Sequence, residues 1–91
     1  MVQNDQFSSI RLKVKFFGYL HELVGKKEIK IRFSSATMSL GEIISVILEK
    51  YPSLSHSTVP YIVSVNQKIA DKSIKINAND EVAFLPPVSG G

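Results

Sequence analysis

One helical pattern with strand patterns on both sides most constrains how this chain folds. From Leu40 to Tyr51, apolar residues recur at intervals of three and four, which places them on one face of an amphipathic helix. Ser39 and Glu42 fit a capping box at the start of this helix, and Pro52 follows its end. A helix with one apolar face has to bury that face, so the pattern predicts a helix packed on a sheet.

Alternating apolar and polar residues predict the strands of that sheet. The first is Ile10–Phe16, followed by a short helix at Tyr19–Val24 that ends at Gly25. The remaining predicted strands are Glu28–Phe33, 61–65, 68–70 and Glu81–Leu85, with turns at 66–67 and 77–80.

The order of these elements predicts an α+β domain with a mixed sheet of about five strands and one main helix on one face. A β-grasp fold satisfies this order, with the first and last strands parallel at the centre of the sheet. The ferredoxin-like alternative needs a second full-length helix, and no helical pattern occurs between Gln67 and Asp80.

The chain of 91 residues has room for one domain. We predict a flexible N-terminus over 1–9, the β-grasp domain over 10–85 and an extended tail over 86–91. The N-terminus lacks the basic and apolar regions of a signal peptide, and no apolar run approaches the roughly 18 residues that span a bilayer. We therefore expect a cytoplasmic protein with no membrane partner.

The side chains offer no convincing catalytic or metal-binding set. The absence of cysteine excludes a thiolate metal site and any sulfur chemistry on a side chain. His21 and His56 are far apart in sequence, the acidic residues fit caps or solvated positions, and the glycines form no phosphate-binding loop. Any sulfur would therefore have to be carried elsewhere than on a side chain.

The charge pattern gives a mild excess of basic residues, with a formal net charge of +3. Five of them share the outward faces of the first two strands: Arg11, Lys13, Lys15, Lys30 and Arg32. No aromatic residues alternate with them as in a nucleic-acid platform, so the pattern favours a solvated sheet face and no nucleic-acid partner.

The same alternation predicts a partner-docking surface. Phe17 and Leu85 each follow an inward-facing residue, so both point outward at the ends of their strands. Ile69, on the short strand, extends this patch. A cluster of exposed apolar side chains beside the last strand is typical of a docking surface.

The last six residues are the most informative: Pro86, Pro87, Val88, Ser89, Gly90 and Gly91. The prolines fix φ and direct the chain away from the sheet, whereas the glycines carry no side chain. Residues 88–91 span at most about 13 Å at roughly 3.3 Å per residue. This composition predicts a narrow tail that inserts into a partner's cleft and delivers the Gly91 carboxylate.

With these features the sequence resembles the ubiquitin-like sulfur carriers, and most of all the small subunits of molybdopterin synthase. The resemblance covers residues 11–91 and rests on KVKFF at 13–17, ELVG at 22–25, VNQ at 65–67 and DEVAFLPPVSGG at 80–91. The sequence departs from the family at His21, where Arg is common, at Asn79, where Gly is common, and at Leu85, where an aromatic residue is usual.

The resemblance implies a chemistry at the terminus. An E1-like adenylyltransferase consumes ATP to adenylate Gly91, and a sulfur donor then displaces AMP to leave a thiocarboxylate. The large subunit of molybdopterin synthase would accept the tail and transfer its sulfur to cyclic pyranopterin monophosphate. Two loaded carriers serve one product, as in a heterotetramer. The chain is then not an enzyme on its own, and it holds no metal or cofactor.

Three other functions remain open from the sequence. A ubiquitin-like modifier would use the same terminus to form isopeptide bonds with lysines. A carrier of the thiamine thiazole pathway would share the Gly-Gly end, although such carriers usually lack the paired prolines. A nucleic-acid-binding module would bind in a salt-dependent way that does not need Gly91.

Overall fold

A computed structural model describes residues 10–33 and 38–87. The strands are β1 (Ile10–Phe16), β2 (Glu28–Phe33), β3 (Met38–Ser39), β4 (Ile62–Val65), β5 (Lys68–Ile69), β6 (Lys75–Ile76) and β7 (Glu81–Leu85). The helices are α1 (Tyr19–Val24), α2 (Leu40–Lys50) and α3 (Pro52–Ser55). The predicted flexible N-terminus and the four residues that end the tail lie outside the described residues.

Five of the strands form one mixed sheet in the order β2-β1-β7-β4-β5. The first and last strands, β1 and β7, are parallel neighbours at its centre, and the other neighbours are antiparallel. β3 and β6 form a separate antiparallel pair. The predicted α+β class and β-grasp arrangement are confirmed.

The hydrophobic core lies between the sheet and α2. The helix contributes four buried residues, which are Leu40, Ile43, Ile44 and Ile47. The central strands contribute the predicted inward-facing residues, which are Leu12, Val14, Phe16, Val82 and Phe84. Since isoleucine and valine are poor helix formers, α2 depends on this packing more than on its intrinsic propensity.

The predicted capping box fixes where α2 begins. The Glu42 backbone N–H donates to Ser39 Oγ over 3.2 Å, and the Ser39 backbone N–H donates to Glu42 Oε1 over 2.9 Å. These two bonds satisfy backbone donors that have no partner within the helix. At the other end, Tyr51 N–H donates to the Ile47 carbonyl, and Pro52 starts α3.

Several element bounds differ from the predicted ones. β4 begins at Ile62 and β5 ends at Ile69, one residue inside each predicted strand. α3 and the β3–β6 pair had no predicted counterpart. Two-residue strands are too short to show a period in the sequence, and α3 is a single turn that begins at a proline. Within the described ranges, no helix has the length and apolar character required to cross a membrane.

Candidate functional site

The parallel pairing of β1 with β7 brings the predicted docking residues together at one end of the sheet. Phe16 lies beside Phe84 in register, and the Phe17 backbone N–H donates to the Phe84 carbonyl over 3.0 Å. Leu85, the next residue, pairs on its other side with Ile62 of β4. The side chains of Phe17 and Leu85 therefore lie near one another on the face of the sheet opposite the core, as the alternation predicts.

These side chains line a groove of about 300 Å³, which we call the outer groove. Its lining residues are Lys15, Phe17, Ser64, Gln67, Ile69, Glu81, Ala83 and Leu85. Ala83 and Ser64 lie opposite one another on neighbouring strands, and both are buried. These two small side chains form the floor, so the larger apolar residues stand above it as walls.

The outer groove concentrates the apolar surface of the described part of the chain. Among the described residues, three large apolar side chains are exposed. Two of them, Phe17 at 44% and Ile69 at 67%, line the outer groove. The third, Tyr19, uses its hydroxyl to donate to the Pro60 carbonyl over 2.6 Å. Exposed apolar residues that cluster in a concave site are typical of a binding surface.

One ion pair lies within the wall of the outer groove. Lys15 Nζ is 3.0 Å from Glu81 Oε2, and each side chain keeps about a third of its surface exposed. A hydrogen bond from Lys15 to Glu81 and the negative charge of Glu81 raise the pKa of Lys15 above its ordinary value. The two opposite charges largely cancel, so the ion pair adds little net charge to an otherwise apolar groove.

A tight turn places Ile69 at the edge of the outer groove. Asn66 and Gln67 have φ values of 53° and 72°, the left-handed conformation that a two-residue hairpin favours. The Asn66 side chain ties this hairpin to the start of β7, because its Nδ2 donates to Asp80 Oδ1 over 2.9 Å and its Oδ1 accepts from Glu81 N–H over 3.0 Å. Asn79, where the family commonly has glycine, does not adopt a positive φ here.

The tail leaves the sheet beside the outer groove. Pro86 and Pro87 directly follow Leu85 and are partly buried. Beyond them, Val88, Ser89, Gly90 and Gly91 lie outside the described residues, so their assigned roles remain predictions. The described base of the tail and the outer groove thus share one end of the sheet.

The other residues considered from the sequence do not converge on a site. His21 is partly buried on α1, and His56 is exposed after α3. Among the described residues, no three His, Cys, Asp or Glu side chains are placed to hold a metal ion. On the outer face of the first two strands, Arg11 pairs in register with Arg32 and Lys13 with Lys30, which forms the predicted basic strip.

Sequence reasoning missed the floor and the charged edge of the outer groove. Ser64, Ala83, Gln67 and Glu81 carry no apolar or catalytic signal of their own. The one available signal was alternation, because Ala83 lies between the inward-facing Val82 and Phe84. Alternation therefore places the small side chain of Ala83 on the outer face, but it does not show that a groove lies there.

Comparison with known proteins identifies the family. The model of the ThiS family matches residues 14–91. The chain belongs to this family. A molybdopterin synthase sulfur carrier subunit of Caenorhabditis briggsae is 37% identical over 90% of this chain and 99% of its own length. One of Dictyostelium discoideum is 35% identical over 91% and 99%. The resemblance to the ubiquitin-like sulfur carriers is therefore confirmed.

Solved structures of other proteins show a similar fold. A putative molybdopterin converting factor subunit 1 of Pyrococcus furiosus matches with a TM-score of 0.78 and 20% identity, over 87% of this chain and 99% of that one. SAMP1 of Haloferax volcanii matches with a TM-score of 0.75 and 24% identity, over 89% and 99%. A complex of subunits 1 and 2 of the molybdopterin-converting factor of Helicobacter pylori matches with 0.64 and 22%, over 90% and 100%. At these identities the likeness concerns the fold.

Proposed function

We propose that this chain is the sulfur carrier subunit of a molybdopterin synthase, with the carboxyl group of Gly91 as its reactive group. The observation that carries the proposal is the place of the outer groove, which lies beside the described base of the tail. A partner that binds Phe17, Ile69 and Leu85 is thereby held next to the point where the tail leaves the sheet. The match to the ThiS family and the 37% identical molybdopterin synthase sulfur carrier subunit of Caenorhabditis briggsae support this function.

The terminal carboxylate needs activation before it can accept sulfur. It is ionised at pH 7 and is a poor electrophile. In the proposed first step, a Gly91 carboxylate oxygen attacks the α-phosphorus of ATP on an E1-like adenylyltransferase, and pyrophosphate leaves. Hydrosulfide supplied by a sulfur donor then attacks the acyl carbon, AMP leaves, and the terminus becomes a thiocarboxylate. ATP is consumed by the partner, and the carrier needs no cofactor of its own.

The loaded carrier then delivers its sulfur within the large synthase subunit. There the thiocarboxylate sulfur attacks a carbon of cyclic pyranopterin monophosphate, and an oxygen substituent of that carbon leaves. Water then hydrolyses the resulting thioester, so the sulfur stays on the pterin and the Gly91 carboxylate is regenerated. Two sulfurs enter each molybdopterin, so two loaded carriers are used, in keeping with a heterotetramer in the cytoplasm. The catalytic side chains for this transfer are expected on the large subunit.

The outer groove gives this partner a surface to bind. Its apolar walls would bury apolar side chains of the large subunit, a contact that contributes roughly 25 cal/mol per Å² of apolar area removed from water. The resemblance to the sulfur carrier subunits implies an aromatic residue at the position of Leu85. A smaller side chain at that position leaves more room in the groove, so the matching side chain on the partner is expected to be larger.

The terminus is tested by deleting Gly91 and, separately, by adding one alanine after it. Each variant is incubated with the adenylyltransferase, ATP and a sulfur donor, and its intact mass is measured. The unaltered chain gains the mass difference of one oxygen-to-sulfur exchange, and both variants gain nothing while they keep the wild-type circular dichroism spectrum. Sulfur loading of either variant would contradict the assignment of Gly91.

A second measurement separates the alternatives. The loaded chain is mixed with the large subunit and cyclic pyranopterin monophosphate, and molybdopterin is measured as its fluorescent oxidation product. Formation of molybdopterin supports the proposal. Recovery of Gly91 in isopeptide bonds to lysines of other proteins, with no molybdopterin formed, would instead identify a protein modifier. Sulfur transfer to a thiazole precursor alone would identify a carrier of the thiamine pathway.

A further inference from the structure

Gly18 occupies an unusual place between β1 and α1. Its φ of 61° and ψ of −140° lie in a region that residues with a Cβ atom rarely adopt. The turn that contains it is held on both sides. The Gly18 carbonyl accepts from His21 N–H over 3.1 Å, and the preceding Phe17 N–H is bonded to the carbonyl of Phe84. Gly18 is therefore fixed relative to α1 and to the end of β7.

The base of the tail packs against the bare backbone of Gly18. A Cβ atom added to Gly18 would lie 2.6 Å from Cγ of Pro86 and 3.4 Å from its Cδ. The first of these distances is far below van der Waals contact between carbon atoms, which is about 3.5–4.0 Å. The ring of Pro86 therefore occupies the space that any side chain at position 18 would need.

Gly25, at the other end of α1, provides a contrast. Its φ of 85° is also positive, so it too has a conformation that favours glycine. A Cβ atom at Gly25 would meet nothing within 4 Å. Alanine would therefore strain the backbone at both positions, but only at Gly18 would it also collide with the tail.

We propose that Gly18 is a positioning residue that sets the direction in which the tail leaves the sheet, by providing a side-chain-free surface on which Pro86 rests. This inference rests on the proposed function, since it matters only for a tail that acts at its end. The ring of Pro86 fixes the φ of that residue, so a contact on the ring constrains the backbone direction at the start of the tail. A change in this contact would therefore change the direction in which the chain leaves Pro86.

The test compares Gly18→Ala with Gly25→Ala as substrates of the adenylyltransferase. Both variants are expected to lower the thermal midpoint, since each places alanine at a positive φ. Only Gly18→Ala is expected to lower kcat for adenylation, by about 10- to 100-fold, the cost of misplacing a reacting group by about an ångström. Its KM is expected to stay within about twofold, because the substitution changes how the terminus approaches ATP and removes no exposed side chain that a partner could bind.

Removing the ring provides the rescue. Pro86→Ala deletes the Cγ and Cδ atoms that a methyl group at position 18 would strike. Gly18→Ala combined with Pro86→Ala is therefore expected to recover most of the kcat lost by Gly18→Ala alone, as a double-mutant cycle would record. Strain of the Gly18 backbone alone, which removal of the ring leaves in place, predicts no such recovery.

The outcomes distinguish this inference from the proposed function. If the unaltered chain is not adenylated, the proposed function is wrong. If it is adenylated and the two alanine variants have equal kcat, or the double variant shows no recovery, the positioning role of Gly18 is wrong while the proposed function stands.

Discussion

The two faces of the central sheet use neighbouring residues of the same strands for different purposes. Phe16 and Phe17 follow one another at the end of β1, yet 2% of Phe16 is exposed compared with 44% of Phe17. On β7, Phe84 is fully buried against the core and Leu85 lines the outer groove. The inner face is thus covered by α2, whereas the outer face exposes apolar side chains that a partner can bind.

This difference separates stability from recognition. Large side chains interdigitate on the inner face, so losing one leaves a cavity. On the outer face, the small Ala83 and Ser64 leave space that a partner's side chains can fill. Substitutions on the inner face should therefore change folding, and substitutions in the outer groove should change binding.

The largest effect on stability is expected from Phe84→Ala. Phe84 is fully buried, and its ring centroid lies 5.4 Å from that of Phe16 and 5.2 Å from that of Tyr61. Its removal is expected to lower the free energy of unfolding by about 3–5 kcal/mol, measured by urea denaturation. Phe17→Ala, the same change on the outer face, serves as the control. An equal loss in both variants would contradict the division between the faces.

The next largest effect is expected from a charge in the outer groove. Phe17→Asp and Leu85→Asp each place a carboxylate where a partner would bury apolar surface, so the affinity for the large synthase subunit should fall by at least about 30-fold, or roughly 2 kcal/mol. Isothermal titration calorimetry measures this affinity, and thermal unfolding checks that the fold persists.

Ser45→Asp provides the matched control for these variants. Ser45 is exposed on α2, on the other side of the sheet, and gains the same single negative charge. Its affinity for the large subunit should stay close to that of the unaltered chain. Unfolding of Phe17→Asp or Leu85→Asp would show instead that the residue belongs to the core.

A smaller effect is expected from Ser39→Ala, which removes the N-cap of α2. The change breaks the bond from Glu42 N–H to Ser39 Oγ and should cost about 1 kcal/mol. For a domain of this size, that corresponds to a fall of roughly 4–8 °C in the thermal midpoint. Partner affinity should not change, because the capping box is remote from the outer groove. A loss of affinity as large as that of Phe17→Asp would break the separation of the two faces.

The predicted parts of the fold are those whose signals are local. The alternation of β1 and the apolar stripe and caps of α2 lie within single segments, so the sequence alone was enough for both. The β3–β6 pair depends on contacts between distant segments. Next to this pair, at the start of α2, Leu40 N–H donates to the Ile74 carbonyl and Gly41 N–H to that of Lys72, and neither bond has a signature in the local pattern.

The outer groove likewise has residues that the local sequence pattern predicts and residues that it does not. Phe17 and Leu85 are predictable from alternation, because each follows an inward-facing phenylalanine. The floor is not predictable, since it depends on the register that places Ser64 opposite Ala83. The contact between Gly18 and Pro86 joins residues far apart in sequence, and only the parallel pairing of β1 with β7 explains it.

The smallest effect is expected from the ion pair at the edge of the outer groove, tested with Lys15→Met. The hydrogen bond and charge of Glu81 raise the pKa of Lys15 in the folded chain above its ordinary value of 10.5. Folding therefore favours protonated Lys15. The stabilisation is fully present below pH 10.5 and is lost as the pH rises through the folded-state pKa. Because about a third of each side chain remains accessible to solvent, the effect is small and should weaken in about 1 M salt.

The thermal midpoints of the unaltered chain and Lys15→Met, measured from neutral pH to above pH 10.5, should therefore converge at the alkaline end. Lys30→Met, on the same outer face, is the control for loss of a lysine as such. If the difference persists unchanged at alkaline pH, the aliphatic part of Lys15 rather than its charge contributes to stability. Lys15 would then stabilise the fold by apolar packing, as the residues of the inner face do, and not by its charge.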